Sequence, residues 1–524
     1  MTGAAPEQGD AAPGTVPVPL SDKALGDLDP RVAVPAYDRS QVTASIVHFG
    51  VGGFHRAHQA MYLDALMNHG EALEWGLCGV GALPHDRRII DTLRAQDGLY
   101  TLVVKHPDGH REPRVIGSIV DVMFAPDDPG AVVDRLADEG TRIVSTTITE
   151  GGYLVNQVTG EFDAQDPSIQ GDLAADFAAG DAPTTVFGFI AAGLDRRRRE
   201  GRAPFTVMSC DNLPDNGDVA RRMITAFARL KDAELADWMD REVAFPNCMV
   251  DRITPVTAQE DIDRLAEEFG VRDGWPVVCE PFTQWVLEDS FGSQGRPPFE
   301  DAGVQVVDDV VPYELMKLRL LNASHQALCY LGFLSGYRYA HEVCQDPLFR
   351  RFLLAYMERE GSPTLPEVPG VDLDAYRHEL VERFANPEVR DTLARLCAES
   401  SDRIPKWLVP VIRENLRSGG EIELSALVVA SWARYAEGRD ERGEPIEVVD
   451  RLKDRVTAAA ARQGEDPLAF VRDRDLFGDL ADDERFAAAY TAALERLHAV
   501  GARATLEDWD ARAGGGDTTA GGAD

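Results

Sequence analysis

Residues 45–59 read Ser-Ile-Val-His-Phe-Gly-Val-Gly-Gly-Phe-His-Arg-Ala-His-Gln: a β-branched run, a glycine turn and the start of a helix. No other stretch limits the fold as much. A strand that turns on glycines into a helix presents backbone N–H groups to an anion, and a pyrophosphate fits such a turn. Gly50 and Gly52 match the first two glycines of G-x-G-x-x-G, with Val51 between them and Gly53 and Phe54 after. His55 stands at the third position, so the fingerprint is incomplete. A lone G-x-G also suits any turn that needs φ > 0. Arg56 adds a cation for a cofactor phosphate.

The first half goes on in the same alternation. Strands are expected over 45–49, 76–80, 142–148 and 206–210, and helices over 55–68, 86–96 and 186–198. Such alternation argues for a parallel sheet covered on both faces. From Pro312 onward almost everything reads as helix, beginning with residues 312–331. The fold class is therefore an α/β Rossmann-type nucleotide-binding domain followed by a mostly α-helical C-terminal domain. The expected divisions are a flexible lead-in over 1–40, a nucleotide domain over 41–300, a helical substrate and catalytic domain over 301–510, and a disordered tail over 511–524. Asp86 is the first acid after the second strand, about 35 residues beyond Gly50 rather than the ~20 of the usual fingerprint. A carboxylate there bonds a ribose 2′-hydroxyl and repels a 2′-phosphate, so the expected cofactor is NAD. Asp86 also suits a helix N-cap.

Composition narrows the class of function. There are 89 acidic and 53 basic side chains, a formal charge of −36, which repels nucleic acid and anionic lipid. Seven cysteines are scattered singly, with no C-x-x-C pair, which fits thiols in a reducing compartment. No zinc-ligand spacing appears, so no metal is expected. Residues 1–19 lack the charged and apolar regions of a signal peptide, and no long apolar window occurs. A cytoplasmic protein without nucleic-acid or membrane partners is expected, as a monomer or weak homo-oligomer.

Only six of the 53 cations are lysines (23, 105, 231, 317, 406 and 453), and Lys317 lies inside an apolar helix. At about 100° per residue Lys317, His325 and Asn322 fall at roughly 0°, 80° and 140°, one broad face with an ammonium, an imidazole and an amide. Each alone has a bland explanation; together on a buried helix they need a polar cavity. Alcohol oxidation needs a base for the hydroxyl proton and donors for the carbonyl oxygen. A desolvated lysine supplies the first and amide N–H groups the second. Tyr313 and Lys317 also spell Y-x-x-x-K, the pair of short-chain dehydrogenases. They lie far beyond Gly50, however, and G-x-x-x-G-x-G is absent.

The Gly50–Gln59 loop and the Lys317-x4-Asn322-x2-His325 helix resemble the polyol-specific long-chain dehydrogenases, the zinc-independent mannitol dehydrogenase family that also includes fructuronate and tagaturonate reductases. The resemblance runs from about residue 40 to 500. It implies a site between the two domains and reversible NAD-dependent oxidation of D-mannitol to D-fructose. By motif it makes Lys317 the general base, and Asn322 and Asn212 (in Ser-Cys-Asp-Asn-Leu-Pro) the oxyanion donors. Glu150 (in Thr-Ile-Thr-Glu-Gly-Gly-Tyr) becomes a proton gate. His325 and Asp251 (in Asn-Cys-Met-Val-Asp-Arg) become substrate contacts, with Arg395, Arg403 and Lys406 near where others are expected. It also makes Asp86 the NAD-selecting acid. The alternatives are a fructuronate reductase, whose substrate carboxylate calls for a guanidinium such as Arg395 or Arg403, and a non-catalytic NAD(H)-binding sensor.

Overall fold

The computed structural model describes residues 16–156, 160–177 and 179–514. The chain divides into two compact units, with the boundary between Val310 and Val311, ten residues beyond the expected position.

The first unit is built on five parallel strands: β1 (Ala44–Phe49), β2 (Gly76–Gly81), β3 (Ile119–Phe124), β4 (Ile143–Thr146) and β5 (Thr206–Ser209). Their order is β3-β2-β1-β4-β5, and every pair is parallel. The order reverses between β1 and β4, and a ligand crevice opens outside the carboxyl ends of the strands at such a switch point. Alternate side chains of β1 enter opposite cores. Ile46 packs with Leu63, Leu66 and Trp285 on one face, while Val47 and Phe49 pack with Phe189, Ile190 and Phe227 on the other. Burial on both faces explains why apolar side chains stand at successive positions, Ile46 and Val47, rather than at alternate ones.

The register at the switch point depends on one glycine. Gly50 has φ +93°, and a Cβ on it would lie 2.0 Å from the carbonyl oxygen of Thr147, just after β4. Only a residue without a side chain lets the two strand ends approach so closely.

Several expectations are corrected. Residues 16–40 are not a free lead-in. Val18–Pro19 pairs with Val271–Arg272, and Leu20, Leu28 and Val32 are buried with Leu265 and Phe269. Residues 1–15 lie outside the described residues. The expected helix over 55–68 is two, Gly53–Ala57 and Gln59–Asn68, broken at His58 (φ −126°, ψ −95°). The break lets the His58 ring meet Phe54, Tyr62 and Trp285 and reach the Gln284 carbonyl at 3.0 Å. A hairpin of Tyr100–Lys105 and Arg111–Ile116 also interrupts the alternation.

Among the described residues, all regular elements of the second unit are helical. Helix Glu423–Tyr435 is buried along most of its length, and the last helical stretch, Glu484–Gly514, is two helices that meet at Gly501, where φ +85° and ψ 172° are not helical. The second of them carries residues 511–514 of the expected tail, and the remainder lies outside the described residues. No described helix is long and apolar enough to cross a membrane.

Gly50→Ala is expected to destabilise the protein by about 2 kcal/mol or more, from the left-handed φ alone, and to weaken NADH binding. Urea unfolding and NADH fluorescence titration measure both, and unchanged values contradict this account of the switch point.

Candidate active site

In the first unit, residues expected at the site gather at the carboxyl ends of the strands. The glycine turn leaves β1 and enters helix Gly53–Ala57. A Cβ on Gly52 would lie 3.9 Å from the Gly50 carbonyl oxygen and one on Gly53 3.5 Å from Thr254 Cγ2, both ordinary van der Waals contacts. Backbone N–H groups at the start of a helix after such a turn can receive a pyrophosphate. Val51 is buried and packs against Gly79 of β2, where an added Cβ would lie 2.8 Å from its methyl.

His55 explains the incomplete fingerprint. The third glycine normally allows helix and strand to pack closely. Here the His55 ring stacks on His48 of β1, with centroids 3.4 Å apart and planes 11° off parallel. His48 also contacts Ser145 Oγ (2.8 Å) and the Gly50 carbonyl (3.1 Å). Burial drives His48 down to about 3 and His55 well below its ordinary value, so the stack is neutral.

Arg56 lies beneath the protein surface. It is 1% exposed, donates to the carbonyls of Trp275 (2.6 Å) and Gly52 (3.3 Å), and lies over the Tyr100 ring. It braces the turn from beneath. Asp86 closes the turn after β2, where its carboxylate accepts from the Leu83 N–H (2.9 Å) and remains partly exposed. Arg87 is paired with Asp127 and Arg88 lies over Trp275, so the nearby cations are engaged elsewhere.

Glu150 and Asn212 follow β4 and β5, and both are exposed. A residue missed in the sequence connects their loops. Asp211 is 4% exposed and accepts from the N–H groups of Ile148 (3.1 Å) and Thr149 (2.7 Å) and from the Tyr153 hydroxyl (2.6 Å). It thereby holds Thr149, immediately before Glu150, at φ +64°, a region costly for a β-branched residue. Burial raises the Asp211 carboxyl to about 6; these three hydrogen bonds oppose the rise and the Glu150 charge adds to it. Asn216, also missed, joins the Asn212 loop to the Cys248–Asp251 strand. Its amide donates to the carbonyls of Asp211 and Cys248 and accepts from the Cys248 N–H. Asp251 ends that strand and is 6% exposed. Its neighbour Arg252 donates to the backbone carbonyls of Ala57 and Glu280. Both missed residues had a sequence signal, as polar side chains within the Asp-Asn-Leu-Pro-Asp-Asn loop.

In the second unit, Lys317 and Asn322 are 8% and 5% exposed and His325 is partly buried. The helix that carries them is not a regular α-helix. Val311–Met316 and Ala323–Leu334 are α-helical, while Lys317–Asn322 is a π-turn. The 140° separation of Lys317 and Asn322 is therefore corrected. Hydrogen bonding from i to i+5 stacks residue i+5 above residue i, as α-helical bonding stacks i+4. Asn322 thus sits above Lys317, and His325 follows three α-helical positions later on the same side. Sequence reasoning found the three residues but not the turn that aligns them.

The His325 ring packs on Phe384 at 4.3 Å. Burial lowers it to about 3, opposed by Asp391 and reinforced by Arg395, Arg383 and Arg403. It is a neutral imidazole, able to donate with one nitrogen and accept with the other. Arg395 is bidentate to Asp391 (2.6 and 2.5 Å), and Arg403 donates to the carbonyls of Arg395 and Leu396. The Tyr313 hydroxyl donates to the Pro369 carbonyl (2.8 Å), a structural bond that accounts for this tyrosine without the Y-x-x-x-K chemistry. Among the described residues, no three His, Cys, Asp or Glu side chains cluster as a metal site would require.

Two family models cover most of the chain: the mannitol dehydrogenase Rossmann domain over residues 44–301 and the mannitol dehydrogenase C-terminal domain over 309–498. The chain belongs to the mannitol dehydrogenase family. Over 480 residues it is 49% identical to a mannitol 2-dehydrogenase of Aspergillus fumigatus, covering 91% of this chain and 95% of that relative. A mannitol 2-dehydrogenase of Neosartorya fischeri is 47% identical over 499 residues, 94% of this chain and 99% of the relative. Among solved structures, Pseudomonas fluorescens mannitol 2-dehydrogenase in ternary complex with NAD and D-mannitol is similar at TM-score 0.83 and 47% identity. That match covers 94% of this chain and all of the other. A substrate-free D-sorbitol dehydrogenase is similar at TM-score 0.85 and 35% identity, covering 93% of this chain. The family's two-part architecture is the one described above.

Asp211 gives the site a pH signature. Its folded value of about 6 lies above the unfolded carboxyl value of about 3.9. Its contribution to stability is thus full below pH ~4 and lost as pH rises through ~6. Asp211→Asn should therefore gain stability relative to the parent as pH rises from 4 to 7, read from urea midpoints. A difference independent of pH contradicts the assignment.

Proposed function

We propose that this chain is an NAD-dependent polyol dehydrogenase that oxidises D-mannitol at C2 to D-fructose, reversibly and without zinc, with Lys317 as general base. The observation that carries this reading is the π-turn placing a buried amine, an amide and a neutral imidazole on one side of a helix. Family membership and the activities of the similar enzymes support it.

The turn at Gly50, Gly52 and Gly53 would receive the cofactor pyrophosphate, with Asp86 on the adenosine ribose. Bound NAD supplies the hydride acceptor. The amine of Lys317, 8% exposed, takes the hydroxyl proton. Asn322 and Asn212 donate N–H groups to the oxygen as it becomes a carbonyl, a role that amides fill without titrating. His325 and Asp251 orient neighbouring hydroxyls. Glu150, exposed on its strained turn, exchanges the Lys317 proton with solvent.

The hexuronate alternative needs a guanidinium directed at a substrate carboxylate. Arg395 is committed to Asp391 and Arg403 to backbone carbonyls, which favours a neutral polyol. Initial rates on mannitol, arabitol, sorbitol and mannonate with NAD and NADP test the assignment. Mannitol with NAD should be fastest, and a strong preference for mannonate overturns it. NADH binding without turnover of any polyol would instead indicate the sensor. Asn322→Ala and Asn212→Ala should each lower kcat on the order of 10²-fold, and added chelator should leave the rate unchanged.

A further inference from the structure

A π-turn carries an extra residue, and the backbone group it displaces must find another partner. In an α-helix the Ala323 N–H would bond to the Arg319 carbonyl. Here it bonds to the carbonyls of Leu318 and Leu320 instead. The Arg319 carbonyl receives the hydroxyl of Tyr356 at 3.0 Å. Tyr356 is fully buried, and burial raises its phenol well above the ordinary value, so it remains a donor.

Tyr356 itself leads into a second π-turn, Met357–Gly361, which packs directly against the first. A Cβ on Gly361 would lie 2.8 Å from Leu320 Cδ2 and 3.4 Å from the Arg319 carbonyl oxygen. The Arg319 guanidinium donates to the Thr364 carbonyl, and Thr364 Oγ1 donates to the Gly361 carbonyl at 2.6 Å. The second turn is in turn fixed. The buried Glu360 carboxylate accepts from the Leu424 and Ser425 N–H groups (both 2.7 Å) at the start of helix Glu423–Tyr435, and also from the Ser425 hydroxyl. The Asn415 amide donates to the Glu360 carbonyl at 2.9 Å.

We infer that Tyr356, with Gly361 beside it, is a positioning residue for the reaction: its hydroxyl holds the π-register that stacks Asn322 over Lys317. The inference rests on the proposed roles of those two residues. Without the phenol donor, the Arg319 carbonyl is best satisfied by returning to the Ala323 N–H. That restores α-helical bonding and turns Asn322 away from Lys317. The substrate is held by other groups, so the loss falls on the chemical step.

The test is Tyr356→Phe in the full chain. Expected are a kcat for mannitol oxidation reduced by about tenfold to 10²-fold, the scale of a misplaced reacting group, and a mannitol KM and NADH Kd changed by less than about threefold. The primary isotope effect on kcat with C2-deuterated mannitol should rise, because hydride transfer becomes more rate-limiting. Gly361→Ala, which pushes on Leu320, should shift the same three readouts in the same direction, and it decides the matter if Tyr356→Phe fails to fold. A lower melting temperature with parental kcat and isotope effect overturns the inference. So does a fall in kcat matched by equal loss of NADH binding. Lys317→Ala, assayed in parallel, separates the two claims. If it is inactive while both positioning variants are fully active, only the positioning inference fails; if it keeps parental kcat, the base assignment beneath it fails.

Discussion

The backbone around Lys317 turns on one displaced hydrogen bond: the Ala323 N–H bonds to the Leu318 and Leu320 carbonyls rather than to that of Arg319. That shift inserts a residue into the turn and brings positions 317 and 322, about 140° apart in a regular α-helix, onto one side of it. The displaced Arg319 carbonyl, the Tyr356 hydroxyl, the bare backbone of Gly361 and the buried Glu360 carboxylate are successive consequences of it. A π-turn is less favourable than the α-helix on either side, and it persists because the packing around it satisfies what it frees. The buried amine and the buried amide proposed for the reaction are thereby carried on a helix rather than a loop.

The nucleotide unit follows the same logic by different means. Gly50 lets β1 and β4 end side by side, and Asp211 then holds the following turn in a backbone conformation that Thr149 would not otherwise adopt. Both devices accept local cost at the carboxyl ends of the strands. The neutral His48–His55 stack is a third: it packs the helix onto the sheet where a glycine would do so in the usual fingerprint.

Much of this was legible in the sequence, and the failures have physical causes. The parallel strands and their glycine turn were readable because buried strands must be apolar and Gly50 must lack a side chain. Lys317 stood out through the scarcity of lysine. The π-turn was not readable, since its partners Tyr356 and Gly361 lie far along the chain and have no local pattern. The inward turn of Arg56 to the Trp275 carbonyl was not legible, because that partner lies more than 200 residues along the chain. Residues 16–40 looked unstructured because they are held by the distant Val271–Arg272 strand rather than by local propensity.

The central claim is that the amine of Lys317 removes the substrate proton. Chemical rescue tests it most directly: the Lys317→Ala enzyme is assayed for mannitol oxidation with increasing concentrations of small primary amines. The account expects negligible turnover without amine and a rate that rises with amine concentration, more steeply for more basic amines of equal size. Substantial turnover without amine would contradict it.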